Sequence, residues 1–216
     1  MASVASVASV ASVAERIAVF GGTFDPIHVG HLVTAVNVRH DLGLDRVLLM
    51  VANDPWQKAA LPVSPAVHRL AMVEAAVADV EGIEASALEI DRGGRSYTAD
   101  TLAELRRRHP GAELFVVLGS DAAAALETWE RVEEVRALST LVVVTRPGAE
   151  ALAPPAGWDH RVVEVPRLEV SSTDLRARVG DGRPLDWLVT ERVVHLIRAL
   201  GLYDVPYMSS ERSATP

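Results

Sequence analysis

Cysteine is absent from this chain of 216 residues. Without thiols there are no disulfides and no cysteine-built zinc sites, and nothing points to an oxidising compartment, so a cytoplasmic setting is expected. Long apolar runs are missing too. The longest are strand-sized, well short of the roughly 20 residues a helix needs to cross a bilayer, so membrane embedding is not expected. An excess of basic charge is also lacking: 21 Lys and Arg stand against 29 Asp and Glu, for a net charge of -8. That balance argues against a nucleic-acid partner, because affinity for a polyphosphate chain comes mainly from clustered cations. A small anionic ligand still fits if its pocket is locally basic. Finally, neither a Gly-x4-Gly-Lys-Ser/Thr loop nor a Gly-x-Gly-x-x-Gly turn occurs, so the two commonest phosphate-binding motifs are excluded.

What is present is a composition 49% hydrophobic, enough to bury a substantial core. Residues 2–13 are four copies of Ala-Ser-Val. Their side chains are too small for a core, and they lack the basic start and apolar middle of a signal peptide, so residues 1–14 read as a disordered leader. One domain is expected over 15–204, with a small helical part from about 167, followed by a flexible tail over 205–216.

The chain turns on the stretch from Val19 to His31. A short apolar strand, Ile17 to Phe20, runs into Gly21 and Gly22, then Thr23, Phe24, Asp25 and Pro26. Glycines permit positive φ and close backbone approach, Asp25 is a good N-cap, and Pro26 suits a first helical position. The N–H groups of a helix N-terminus would then face outward and attract an anion. His28 and His31 lie three apart, so if the helix has begun by His28 both rings fall on one helical face and can reach one phosphate.

From there strands and helices alternate. A helix over Leu32–Leu42 stops at Gly43, and the continuous apolar run Arg46–Val51 reads as a strand covered on both faces. Further helices are expected over 64–80, 98–109, between Asp121 and Leu138, over Ser171–Arg178 and over Leu185–Leu200. The strands between them are expected at Ile83–Leu88, Leu114–Leu118, Leu141–Val144 and Arg161–Val165, and 147–157 reads as a surface loop. This βαβα beat implies an α/β fold: a Rossmann-like, doubly wound parallel sheet with helices on both faces. Ligands in such sheets collect at the carboxyl ends of the strands, beside the switch in strand order. Each motif falls there.

A second anion site is spelled Glu169-Val-Ser-Ser-Thr-Asp-Leu-Arg176. Ser171 or Ser172 can cap a helix, Thr173 adds a hydroxyl, and Arg176 lies one turn on, aimed at the same place. By contrast Arg106, Arg107 and Arg108 end a helix, where cations are stabilising for structural reasons. His40, His68 and His195 lack matched partners and receive no role. No metal cage is visible.

Together, His28-Val29-Gly30-His31 and Ser171-Ser-Thr-x-x-Arg176 resemble the two signatures of the nucleotidylyltransferase superfamily, with Val170 in place of Ile. The longer Gly-Gly-Thr-Phe-Asp-Pro-Ile-His-x-Gly-His-Leu form is similar to its nicotinate-mononucleotide adenylyltransferase branch. The resemblance spans roughly residues 16 to 200. It implies that His28, His31 and Arg176 act on the triphosphate of ATP, with Gly21, Gly22, Thr23, Phe24, Ser171, Ser172 and Thr173 also binding ATP. Lys58 falls where the family has a basic loop, although Gln57 replaces the usual His. Gly119 and Asp121 resemble a Gly-x-Asp that reads the ATP ribose. Tyr97, Thr98 and Trp129 match residues that receive the nicotinate ring and its carboxylate. The implied reaction joins ATP and nicotinate mononucleotide, with Mg²⁺ held by phosphate oxygens and water. Adenylyl transfer to nicotinamide mononucleotide or another phosphorylated acceptor stays open, as does a nucleotide-binding regulator without turnover, and self-association is left undecided.

Overall fold

The computed structural model describes residues 14–55, 62–148 and 154–204. The expected leader, apart from Ala14, and the expected tail lie outside the described residues, as does Lys58.

Six parallel strands make one sheet: β1 (Arg16–Gly22), β2 (Arg46–Val51), β3 (Ile83–Ser86), β4 (Glu113–Gly119), β5 (Thr140–Thr145) and β6 (His160–Glu164). Their order is β3-β2-β1-β4-β5-β6, so the chain winds outward from β1 in one direction and from β4 in the other. The order reverses between β1 and β4, which pair through Arg16↔Glu113 to Val19↔Val116.

The apolar runs are continuous because both faces are covered. On one face Ala18, Val47, Leu49, Val51 and Val117 pack under α1 (Val29–Leu42), α2 (Ala66–Val77) and α8 (Glu191–Ala199). On the other, Ile17, Val19, Leu48, Met50 and Val116 pack under α4 (Thr98–Arg108) and α6 (Val132–Leu138). Successive residues of β2 thus feed opposite cores, as the period of two requires. The remaining helices are α3 (Leu88–Arg92), α5 (Ser120–Ala124) and α7 (Ser172–Asp181). No described helix is long and apolar enough to cross a membrane.

Several expected boundaries move. Gly43 does end α1, in the left-handed conformation, φ 57°. The strand expected to reach Leu88 stops at Ser86, and Leu88 instead opens α3, whose single turn is too short for a helical period to show. The last helix begins at Glu191 rather than Leu185. Leu185–Thr190 forms a tight turn, with Leu188 and Val189 N–H donating to the Leu185 carbonyl and Trp187 at φ 67°. That turn matters for the site: the Leu188 carbonyl accepts from Val29 N–H at 2.9 Å. The arginines at the end of α4 are structural, Arg106 donating to the carbonyls of Ala112 and Leu138.

Candidate functional site

Two clefts open at the carboxyl ends of the strands, on either side of the β1/β4 switch. The larger, of about 670 Å³, is lined by His28, His31, Asp121, Arg146, Ser171 and Arg176 among others. The smaller, of about 220 Å³, is lined by Gly21, Gly22, Thr23, Tyr97, Thr98 and Trp129 among others.

The helix entry differs from the expected one. His28, not Asp25, is the N-cap residue of α1, with extended φ of -147°. Pro26 therefore precedes the cap instead of opening the helix. Asp25 is turned inward, 4% exposed, where its carboxylate accepts from Ser64 N–H at 3.0 Å and from the Tyr203 hydroxyl at 2.5 Å. Burial, with the Asp25 charge, pushes the Tyr203 hydroxyl pKa up. These inward bonds commit Asp25 to structure, which no spacing in the sequence reveals. Neither Gly21 nor Gly22 has positive φ. Gly22 is required for another reason: a Cβ there would lie 2.7 Å from the Phe24 ring.

The two histidines are brought together. Their rings stack with centroids 3.7 Å apart at 24°. The His31 Nδ1 accepts from the His28 backbone N–H at 3.3 Å, so its ring proton belongs on Nε2. Phe24, 2% exposed, lines neither cleft; it meets the His31 ring edge-to-face at 5.0 Å and supports it from the core. His28 is 8% exposed and its Nδ1 is buried without a partner among the described residues. Burial lowers its pKa to about 4, so the ring is neutral at neutral pH. Gly30 lies between the rings and the second motif: a Cβ there would come within 3.1 Å of both the His28 ring and Val170.

The second motif is sewn to the first. Ser171 caps α7, its hydroxyl accepting from Asp174 N–H at 3.1 Å. Ser172 Oγ donates to the Pro26 carbonyl at 2.9 Å, and Arg176 Nη1 donates to the Asp25 carbonyl at 2.8 Å. Arg176 Nη2 reaches Thr173 Oγ1 at 3.4 Å. A helix N-terminus, two imidazoles and a guanidinium thus converge on one cleft, which suits a polyphosphate.

Opposite them, Gly119 caps α5 at the end of β4, and Asp121 in its first turn lines the same cleft. In the smaller cleft Trp129 is half-buried against the second core, and Tyr97 caps α4, whose first residue is Thr98. Gly21, Gly22 and Thr23 line this cleft rather than the larger one. Residues that sequence reasoning missed include Arg146 and Thr145 in the larger cleft and Glu89 in the smaller. Arg69 was also missed: it is 1% exposed and donates to the carbonyls of Thr23, Asn53 and Ser64, tying together the loops after β1 and β2. Its signal was hidden because a buried arginine reads like any helical one.

Comparison with known proteins gives a consistent picture. Residues 19–178 match the model of a family described as cytidylyltransferase-like. A Corynebacterium kroppenstedtii protein named "Probable nicotinate-nucleotide adenylyltransferase" is 44% identical over 191 residues, covering 87% of this chain and 90% of the relative. A Clavibacter michiganensis protein of the same name is 46% identical over 194 residues, covering 88% and 95%. In fold, the chain is similar to the Plasmodium falciparum nicotinic acid mononucleotide adenylyltransferase complexed with NaAD, at a TM-score of 0.72 and 18% identity, covering 88% of this chain and 98% of that one.

Proposed function

We propose, since the chain belongs to the cytidylyltransferase-like family and within it to the nicotinate-nucleotide adenylyltransferases, that its two clefts hold ATP and nicotinate mononucleotide on either side of the β1/β4 switch. The reaction is adenylyl transfer in NAD biosynthesis. The 5′-phosphate of nicotinate mononucleotide attacks the α-phosphorus of ATP, a P–O bond forms, and the bond to the bridging oxygen breaks with its electron pair leaving on pyrophosphate. The product is nicotinate adenine dinucleotide.

No protein nucleophile or general base is required, because the attacking oxygen is already ionised at neutral pH. Catalysis then reduces to orientation and to stabilising charge on the α-phosphate and leaving group. In the larger cleft the His31 Nε2–H and the Arg176 guanidinium are the donors to the triphosphate, and the α7 N-terminus at Ser171, Ser172 and Thr173 faces the same anion. His28, neutral without ligand, gains a proton more easily once phosphate charge is beside it. Asp121 and Gly119 take the ribose hydroxyls. In the smaller cleft Trp129 stacks on the nicotinate ring, and the N–H groups at Tyr97 and Thr98 meet its carboxylate. Gly21, Gly22 and Thr23, which line the smaller cleft, approach the phosphates of ATP and the mononucleotide, and Lys58 adds a point charge. Phe24 acts only through His31.

Among the described residues no three His, Cys, Asp or Glu gather as a metal cage. In the larger cleft Asp121 is the lining carboxylate, and a hydrated Mg²⁺ bound with ATP would be held mainly by phosphate oxygens and water, where it would neutralise phosphate charge. The single observation that carries the reading is the convergence of both signature motifs on a cleft adjoining an aromatic one. Pyrophosphate release from ATP and Mg²⁺, with nicotinate mononucleotide, nicotinamide mononucleotide or phosphopantetheine offered separately, tests it. Release mainly with the acid mononucleotide is expected; ATP binding without release for any acceptor would overturn it.

A further inference from the structure

One buried acid in the smaller cleft has no part in the reaction as described. Glu89, in the first turn of α3, is 7% exposed and lines the cleft with Tyr97, Thr98 and Trp129. Its Oε1 accepts from Thr101 Oγ1 at 2.6 Å, and Thr101 is itself fully buried. Arg92 donates through both terminal nitrogens to the Thr101 hydroxyl oxygen at 3.3 Å. Yet among the described residues no ion pair joins a cation to Glu89 itself.

Arg92 thus reaches Glu89 only through the Thr101 hydroxyl, and a carboxylate removed from water without a direct ion pair costs free energy and suits a partner that arrives later. The rest of the wall deepens the imbalance. Glu130 also lines this cleft, and although Arg95 stands near Glu130 and Tyr97, none of the described lining residues is itself Lys or Arg. A pocket of that charge is a poor match for a ligand known only as an anion, and a good match for a positive group flanked by negative ones. Nicotinate mononucleotide has that pattern: the glycosidic bond makes its ring nitrogen quaternary, so the flat ring is a permanent cation between a carboxylate and a phosphate.

We propose, on the reading that this cleft takes nicotinate mononucleotide, that Glu89 is the counter-charge of the pyridinium ring and selects a cationic ring over a neutral one of the same shape. Three elements then read three features: α3 the ring charge, the N-terminus of α4 the carboxylate, and Trp129 the ring face. The Thr101 bond fixes the Glu89 carboxylate in its rotamer. It leaves the second carboxylate oxygen for the ligand.

The test is calorimetric titration with nicotinate mononucleotide and with its C-ribosyl isostere, in which a benzoate ring replaces the pyridinium. The wild-type protein should bind the charged ring about thirtyfold more tightly, the scale of losing one side of a desolvated charge pair. Equal affinities in the wild-type protein would overturn the proposal with no variant needed. Glu89→Gln keeps an oxygen for Thr101, so the preference should shrink to within about threefold and KM for nicotinate mononucleotide should rise about thirtyfold, with KM for ATP unchanged. A purely structural role would lower stability and leave the ring preference intact, and that result also overturns the proposal. Failure of the wild-type protein to turn over nicotinate mononucleotide at all would instead remove the substrate reading, and this proposal with it.

Discussion

The two clefts share a border at β1 and β4 but are built on opposite principles. The larger is braced from several directions: Arg176 and Ser172 donate to the backbone of 25 and 26, Leu188 accepts from Val29, and His31 stands on Phe24. Its lining carries Arg146 and Arg176 beside the single acid Asp121. The smaller is lined by an aromatic face, glycines and two acids, and its charged residues are Glu89 and Glu130. On the proposed function, the first cleft stabilises negative charge that moves during reaction and the second recognises a ring that does not change. Losses in the first should therefore fall on turnover, and losses in the second on substrate affinity.

The sharpest attempt to break that division is Arg176→Ala. It removes a cation from the triphosphate and a bond to the Asp25 carbonyl together, and should lower kcat about a thousandfold. Pyrophosphate release within about tenfold of wild type would mean that the guanidinium serves only the backbone. His31→Ala should cost somewhat less, about a hundredfold in kcat, with the fold retained, in line with losing one preorganised donor. Near-normal turnover would remove the imidazole from the clamp. A variant with intact kcat but raised KM for the mononucleotide would erase the contrast between the clefts.

His28 sharpens the same contrast without any ligand. Its pKa is about 4 in the fold against 6.5 for an ordinary imidazole, because burial disfavours the charged ring. The unfolded chain therefore binds a proton, between those two values, that the folded chain does not. Stability from this group is complete above the ordinary pKa and falls as pH drops toward the folded one. Between about pH 7 and about pH 5 the loss should approach about 2 kcal/mol. Urea unfolding of wild type and His28→Gln at the two pH values checks it. The variant should lose about 2 kcal/mol less than wild type over that interval, and identical pH profiles would refute the buried neutral ring.

The sheet was legible because its strands are long, apolar and evenly spaced, and Arg46–Val51 appears with the bounds read from the sequence. The two signature motifs were legible as a pair for a related reason: each needs small or capping residues at fixed offsets, and those leave a pattern. Asp25 was misread because Asp before Pro is a good local cap, whereas its real partners, Ser64 and Tyr203, are 39 and 178 residues away. Glu89 escaped for lack of any pattern at all. It sits in a one-turn helix, and only folding turns it into the wall of a cleft. Local chemistry was readable; commitments between distant segments were not.

Trp129 is where those two kinds of information compete, and its effect should be the smallest. The side chain is half-buried against the second core while lining the smaller cleft, so a structural role and the proposed ligand-facing role compete for one ring. Trp129→Leu keeps apolar volume beneath the surface and removes the flat face. Loss of stacking should raise KM for nicotinate mononucleotide about tenfold, leave KM for ATP unchanged and lower kcat little, because stacking is equal in ground and transition states. Trp129→Phe should recover most of the affinity. If Trp129→Leu instead lowers the melting temperature with KM untouched, the ring is core, and the smaller cleft must select its ligand by charge and backbone N–H groups alone.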